Sequence, residues 1–251
     1  MSTNYEIAAN LDAVRARIKE ASERSGRSPE EITLIAVSKL NPAESVEAAI
    51  AHEQFEFGEN WVKELLEKEV RVEDYLREYA PAKAEKINWH FIGHLQTNKV
   101  RQLIGKTVLI HSVDSLKLAT VIDNESKKKN TITDVLLEIN IGDEESKYGI
   151  KPDEAVEFAS SLQNLNNIRI RGLMTVAPIC DDPESNRPYF KKMRELFIDI
   201  KSKNYDNISM DILSMGMTLD FETAIEEGAT HIRVGTGIFG ARNYGTKSES
   251  R

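Results

Sequence analysis

The sequence predicts a single (β/α)8 barrel, an α/β fold of TIM-barrel type, with one additional helix at its amino terminus. Three observations lead there. Eight short, β-branched apolar runs alternate with helical segments, and parallel neighbours in a sheet need long crossovers of this kind. The 251 residues suit one such barrel, typically about 250 residues long. The rival, an open doubly wound sheet, usually announces itself with GxGxxG after its first strand, and that motif is missing here.

The elements follow in order. Ile7, Leu11, Val14, Ile18 and Ala21 recur at helical spacing, and Gly26 supplies a stop, so residues 1–30 read as a helical extension. Ser28-Pro29-Glu30-Glu31 can cap one short turn. The first strand is ITLIAVS, Ile32 to Ser38, and Pro42 opens the helix that buries Val46, Ala49 and Ile50. Phe55 to Asn60 is the second strand, with a charged helix reaching Tyr79. Ile87 to Gly93 is the third, followed by helical Thr97 to Ile104; Thr107 to Asp114 is the fourth, with Ser115 able to cap the next helix. Thr133 to Ile141 is the fifth strand, and Pro152 opens its helix. Ile168 to Val176 is the sixth, ahead of a helix from about Arg187 to Lys203. Asp211 to Gly216 is the seventh, with a helix closed by Gly228, and His231 to Gly237 is the eighth. A short helix can follow, and residues 243–251 read as a frayed tail. No linker divides the chain, so residues 1–251 are expected to form one domain.

Composition narrows the function. There are 33 Lys plus Arg against 41 Asp plus Glu, a net charge of −8, which disfavours a broad nucleic-acid footprint. Cys180 is the sole cysteine, so no intrachain disulfide forms and the expected compartment is the cytoplasm. No apolar run reaches the roughly 20 residues that cross a bilayer, and the start lacks a signal peptide's apolar core.

In barrels of this class the site lies at the carboxyl ends of the strands. The first strand ends in Lys39, where burial lowers an amine's pKa and frees it for Schiff-base formation; the plain alternative is a lysine that snorkels or pairs with Glu59. The seventh and eighth strands end in Ser214-Met215-Gly216-Met217-Thr218 and Gly235-Thr236-Gly237, small residues at the loops that often hold phosphate. A Schiff-base lysine opposite a phosphate cradle suggests pyridoxal 5'-phosphate. Arg233, two residues before Gly235, shares its face and can point inward; a guanidinium at the pyridine nitrogen would keep that nitrogen unprotonated. Asn60 can contact the ring or cap the next helix. His90 and His94 straddle a strand end without a third ligand at metal spacing, and either can act as a proton carrier or as an ordinary hydrogen-bonded histidine.

Val37-Ser38-Lys39, Phe57-Gly58-Glu59-Asn60, Trp89-His90-Phe91-Ile92-Gly93 with Leu95-Gln96 and Asn98-Lys99, Gly172-Leu173-Met174, Ser214-Met215-Gly216-Met217 with Asp220, and Arg233-Val234-Gly235-Thr236 with Ile238-Phe239-Gly240 together resemble the pyridoxal phosphate homeostasis protein family, single-domain relatives of the alanine racemase barrel. The blocks run in the family's order over residues 36–242. The resemblance implies pyridoxal phosphate on Lys39 as an internal aldimine, its phosphate around Ser214, Met215, Gly235 and Thr236, Arg233 at the pyridine nitrogen and Asn60 beside the ring. Leu40-Asn41 stand where a Thr-Lys pair is common, Trp61 where Tyr or Arg is more usual, and Thr218 where Ser is.

The function expected is a carrier that holds the cofactor and contributes to vitamin B6 homeostasis and supply, without established catalytic residues or robust turnover. Its partners would be the cofactor and apo forms of enzymes that use it, and the chain would act as a monomer. The alternative is a pyridoxal-dependent amino-acid racemase or decarboxylase; by resemblance those add a carboxy-terminal domain bearing a second acid/base, and only about ten residues follow Arg242 here. A Schiff-base aldolase acting on a phosphorylated sugar shares the same lysine and phosphate requirements.

Overall fold

In the computed structural model, which describes residues 3–144 and 146–241, eight parallel strands close into a barrel in sequence order. They are β1 (Thr33–Val37), β2 (Glu56–Glu59), β3 (Asn88–Phe91), β4 (Leu109–Val113), β5 (Thr133–Glu138), β6 (Ile168–Met174), β7 (Ile208–Ser214) and β8 (His231–Val234). β8 pairs with β1 through Ile35 and Arg233, among others, and so shuts the sheet.

Each strand leads into a helix: α2 (Ala43–Ala51), α3 (Val62–Tyr79), α4 (Val100–Leu103), α5 (Leu116–Lys128), α6 (Ala155–Ser161), α7 (Arg187–Ser202), α8 (Phe221–Glu226) and the four-residue α9 (Thr236–Phe239). α1 (Asn4–Arg24) begins with a capping box in which Thr3 and Glu6 satisfy each other's backbone N–H. It buries Ile7, Leu11, Val14, Ile18 and Ala21 against α2, α8 and α9. The Asn10 amide donates to the Ile238 carbonyl at 2.9 Å, so α1 fills the outer layer that so short a final helix leaves thin.

Two cores result. The larger lies between sheet and helices. A smaller one holds Leu109, Leu136 and Met174 with Ile212, residues that share strand parity with His111, Glu138 and Ser214 and therefore face the barrel axis.

The expected elements are found, with shifts at their ends. β7 starts at Ile208, three residues earlier than the apolar run suggests, because Met210 takes a left-handed φ of 43° that breaks the alternation there. α6 starts at Ala155 after a turn rather than at Pro152. Thr236 and Gly237, expected at the end of β8, open α9. Two further short stretches of 3-10 helix, Pro81–Lys86 and Pro183–Asn186, were not expected from the pattern. The segment read as a frayed tail, 243–251, lies outside the described residues. Among the described residues no helix is long and apolar enough to cross a membrane.

Candidate functional site

The carboxyl ends of the strands surround a cavity of about 1270 Å³ whose walls include Lys39, Asn60, Glu138, Arg233, Gly235 and Thr236. Alternation along β1 places Ile35, Val37 and Lys39 on the axial side. Beyond Lys39 the chain turns sharply: Leu40 adopts φ 65°, a conformation costly for a branched side chain. Its N–H donates to Glu64 Oε1 at 2.6 Å, and Asn41 N–H donates to the Ser38 carbonyl at 3.0 Å.

A buried ion pair braces this turn from the helix side. Lys68 on α3 donates to the Ser38 carbonyl at 2.7 Å, to Glu59 Oε1 at 2.6 Å and to Glu64 Oε1 at 2.8 Å. Ser38 also donates to Glu59 at 2.6 Å. Burial pushes Glu59 above the usual carboxylate range even so, with Lys68 pulling the other way. The carboxylate weighed as a neighbour of Lys39 is thus taken up by Lys68 and Ser38.

Asn60 lines the cavity and does not cap α3, whose N-cap is Trp61 without a side-chain bond. Its Oδ1 is buried without a protein partner. Gly93 makes room for it: a Cβ there would stand 2.3 Å from the Asn60 carbonyl oxygen, so any larger residue displaces the β2 end.

On the opposite wall, Gly216 at φ 89° turns the chain out of β7, and a Cβ on it would meet Phe221 and Ala224 at under 3 Å. The turn reverses which residues reach the cavity. Met217 and Thr218 line it together with Gly235 and Thr236, and the Thr236 hydroxyl donates to Thr218 Oγ1 at 3.2 Å. Ser214 and Met215 do not line it: both are fully buried, and the Ser214 hydroxyl accepts from Arg233 Nη1 at 2.5 Å. Arg233 is 4% exposed and also donates from Nη2 to the Thr175 carbonyl at 2.6 Å. Burial lowers its pKa to about 10, although Asp220 and Glu138 pull upward.

Glu138, at the end of β5, was missed in the sequence. Burial, reinforced by Asp114, raises it to about 7 against the pull of Arg233, and its Oε2 has no protein partner. A lone acid in the apolar run Val135–Ile139 was the available signal. The two histidines part company: His90 is buried within the barrel, whereas His94 sits at the cavity, stacked 3.7 Å from the Tyr148 ring. Among the described residues no three His, Cys, Asp or Glu side chains group as metal ligands.

Comparison with known proteins gives a consistent result. Residues 9–243 match the family described as alanine racemase, N-terminal domain. A pyridoxal phosphate homeostasis protein of Aquifex aeolicus (strain VF5) is 43% identical over 234 residues, 93% of this chain and 97% of that one. The crystal structure of an unknown protein from Bifidobacterium adolescentis has a TM-score of 0.85 at 34% identity, covering 94% of this chain and 95% of that one. PipY of Synechococcus elongatus PCC7942, solved with PLP bound, has a TM-score of 0.77 at 31% identity, covering 93% of this chain and all, 100%, of that one.

Proposed function

Since the chain belongs to the alanine racemase N-terminal domain family, and within it to the pyridoxal phosphate homeostasis proteins, we propose that it binds pyridoxal 5'-phosphate through Lys39 and serves vitamin B6 homeostasis by holding and supplying that cofactor. The observation that carries this reading is the convergence of Lys39, Asn60, Arg233, Gly235 and Thr236 on one cavity. The cofactor, when bound, supplies an aldehyde that condenses with a primary amine, releasing water, and a phosphate dianion.

The residues present fit that group. Lys39 offers the amine, on a turn that Lys68 and Glu64 hold from α3. Small residues of the β7 and β8 ends, Thr218, Gly235 and Thr236, give an anion close access to backbone and hydroxyl groups. Ser214 and Met215 act behind this wall, Ser214 by holding Arg233. Arg233 has N–H donors left over after its two bonds to Ser214 and Thr175, and these suit a neutral ring nitrogen. The buried, unpaired Oδ1 of Asn60 marks a place for a polar group of a ligand.

The single thiol, Cys180, fits a cytoplasmic setting. We take residues 1–251 as one functional unit, a monomer whose recipients are apo enzymes that use the same cofactor. Absorbance tests the reading: reconstituted protein should show a visible band that is lost in Lys39→Ala, and a protein that stays colourless with excess cofactor contradicts it. Incubation of the loaded protein with single-enantiomer amino acids separates carrier from enzyme. The carrier shows no sustained racemisation or CO2 release; steady turnover would make it a racemase or decarboxylase.

A further inference from the structure

Beneath the cavity the barrel axis holds polar side chains that no binding role has yet absorbed. Glu56, at the start of β2 and the far end of the barrel, accepts from the Asn88 amide at 2.7 Å and faces His90 Nε2 at 2.7 Å. His90 Nδ1 lies 3.0 Å from His111 Nε2. His111 Nδ1 lies 3.1 Å from Ser214 Oγ, which receives Arg233 Nη1. His90, His111, Ser214 and Arg233 are all buried.

The direction of this chain is fixed by its ends. Arginine can only donate, and an ionised carboxylate can only accept. Ser214 therefore takes a hydrogen from Arg233 and gives its own to His111 Nδ1. His111 is uncharged, because burial, with His90, Arg233 and His231 nearby, holds its pKa well below 6.5; its single proton sits on Nε2 and goes to His90 Nδ1. His90 in turn donates from Nε2 to Glu56. Every contact then pairs one donor with one acceptor. The reverse arrangement with neutral rings sets a lone pair of His90 against the Glu56 carboxylate; it and a third arrangement, in which His90 carries both protons and donates from each nitrogen, leave the Ser214 hydrogen without an acceptor among the described residues.

We infer that Glu56, His90, His111 and Ser214 form a one-way hydrogen-bond relay that positions the Arg233 guanidinium from the opposite end of the barrel. Successive bonds in such a chain polarise one another in a low-dielectric interior. The relay thus brings part of the Glu56 charge to Ser214 Oγ, beside a guanidinium whose described hydrogen-bond partners, Ser214 and the Thr175 carbonyl, are both neutral. All four are positioning residues, acting on the cavity only through Arg233. Their effect on a ligand rests on the reading that Arg233 faces the bound cofactor; the order of protons in the chain does not.

Two measurements separate those layers. In 15N-histidine-labelled apoprotein at neutral pH, with peaks assigned through His90→Asn and His111→Asn, long-range 15N–1H spectra should show both rings as neutral Nε2–H tautomers. An Nδ1–H tautomer or an imidazolium at either position overturns the relay. Glu56→Ala and Glu56→Gln then probe its reach, since the Gln carbonyl can still accept from His90. The Ala variant should shift the His111 ring resonances and weaken pyridoxal 5'-phosphate binding by about 3- to 10-fold, the equivalent of one hydrogen bond. The Gln variant should lose less than the Ala variant, because its carbonyl can keep the bond to His90 once Asn88 turns its amide oxygen toward the new NH2, though it lacks the carboxylate charge. Equal losses in both, or none in either, overturn the relay. Failure of the parent protein to bind the cofactor would instead remove the proposed function and leave the tautomers as the measure of the relay.

Discussion

Arg187 on the outer skin and Arg233 on the barrel axis are both tied by several hydrogen bonds, yet their partners are opposite in kind. Arg187 meets Glu184 at 2.6 and 2.7 Å, Glu226 at 2.7 Å and Glu227 at 2.6 Å, and these carboxylates drive its pKa upward. Arg24 joins the same cluster through Glu222 and Glu226, so the network staples α1, α7 and α8 together. Arg233 has one hydroxyl and one carbonyl, and burial drives its pKa downward. A cation saturated with carboxylates has no capacity left for a ligand. One buried among neutral acceptors keeps both charge and donors, and it costs stability that a bound partner can return.

Substitutions sharpen that contrast, beginning with the largest expected effect. Arg233→Met should weaken pyridoxal 5'-phosphate binding by more than about tenfold, since a charge-assisted bond contributes about 1.5–3 kcal/mol; fluorescence titration reads this, and unchanged affinity would place Arg233 with the structural arginines. Glu138→Gln comes next. With a folded pKa near 7 against an unfolded value of about 4.3, the native state binds the extra proton, so apoprotein stability falls as pH rises from about 4.5 to 7. The Gln variant should lose that slope and gain about 1–2 kcal/mol above pH 7, less than full linkage because the carboxyl borders an open cavity. Urea melts at pH 5 and 8 check it, and parallel pH dependences in both proteins would contradict it.

Arg187→Met should lower stability by about 1 kcal/mol and leave cofactor affinity unaltered, the mirror image of Arg233→Met. Smallest of all, Arg71→Met removes an exposed pair with Glu44 and should move the urea midpoint by no more than about 0.5 kcal/mol in equivalent stability. A larger loss there than in Arg187→Met would undo the ranking of the two regions.

Much of this organisation is legible in the residues themselves. The eight apolar runs, the helix periodicity and the positions of Lys39 and Arg233 at strand ends follow from patterns of period two and 3.6. What escaped depends on contacts between distant strands. The phosphate was expected around Ser214, Met215, Gly235 and Thr236; the chain turns at Gly216, φ 89°, so that Met217 and Thr218 line the cavity while Ser214 and Met215 lie buried behind it, and a backbone torsion leaves no mark in the composition of the loop. His111 looks like one polar interruption in Leu109–Val113; only closure of the barrel sets it between His90 on β3 and Ser214 on β7. Glu138 was readable as a lone charge in an apolar strand, though its raised pKa depends first on burial in the closed barrel and then on Asp114 from a neighbouring strand's end.

Borohydride reduction of cofactor-loaded protein, followed by proteolysis and peptide mass mapping, tests the central assignment most directly. The account predicts the reduced pyridoxyl group on the peptide containing Lys39. Label on Lys63 or Lys99, which border the same cavity, or recovery of unlabelled peptides throughout, would contradict it.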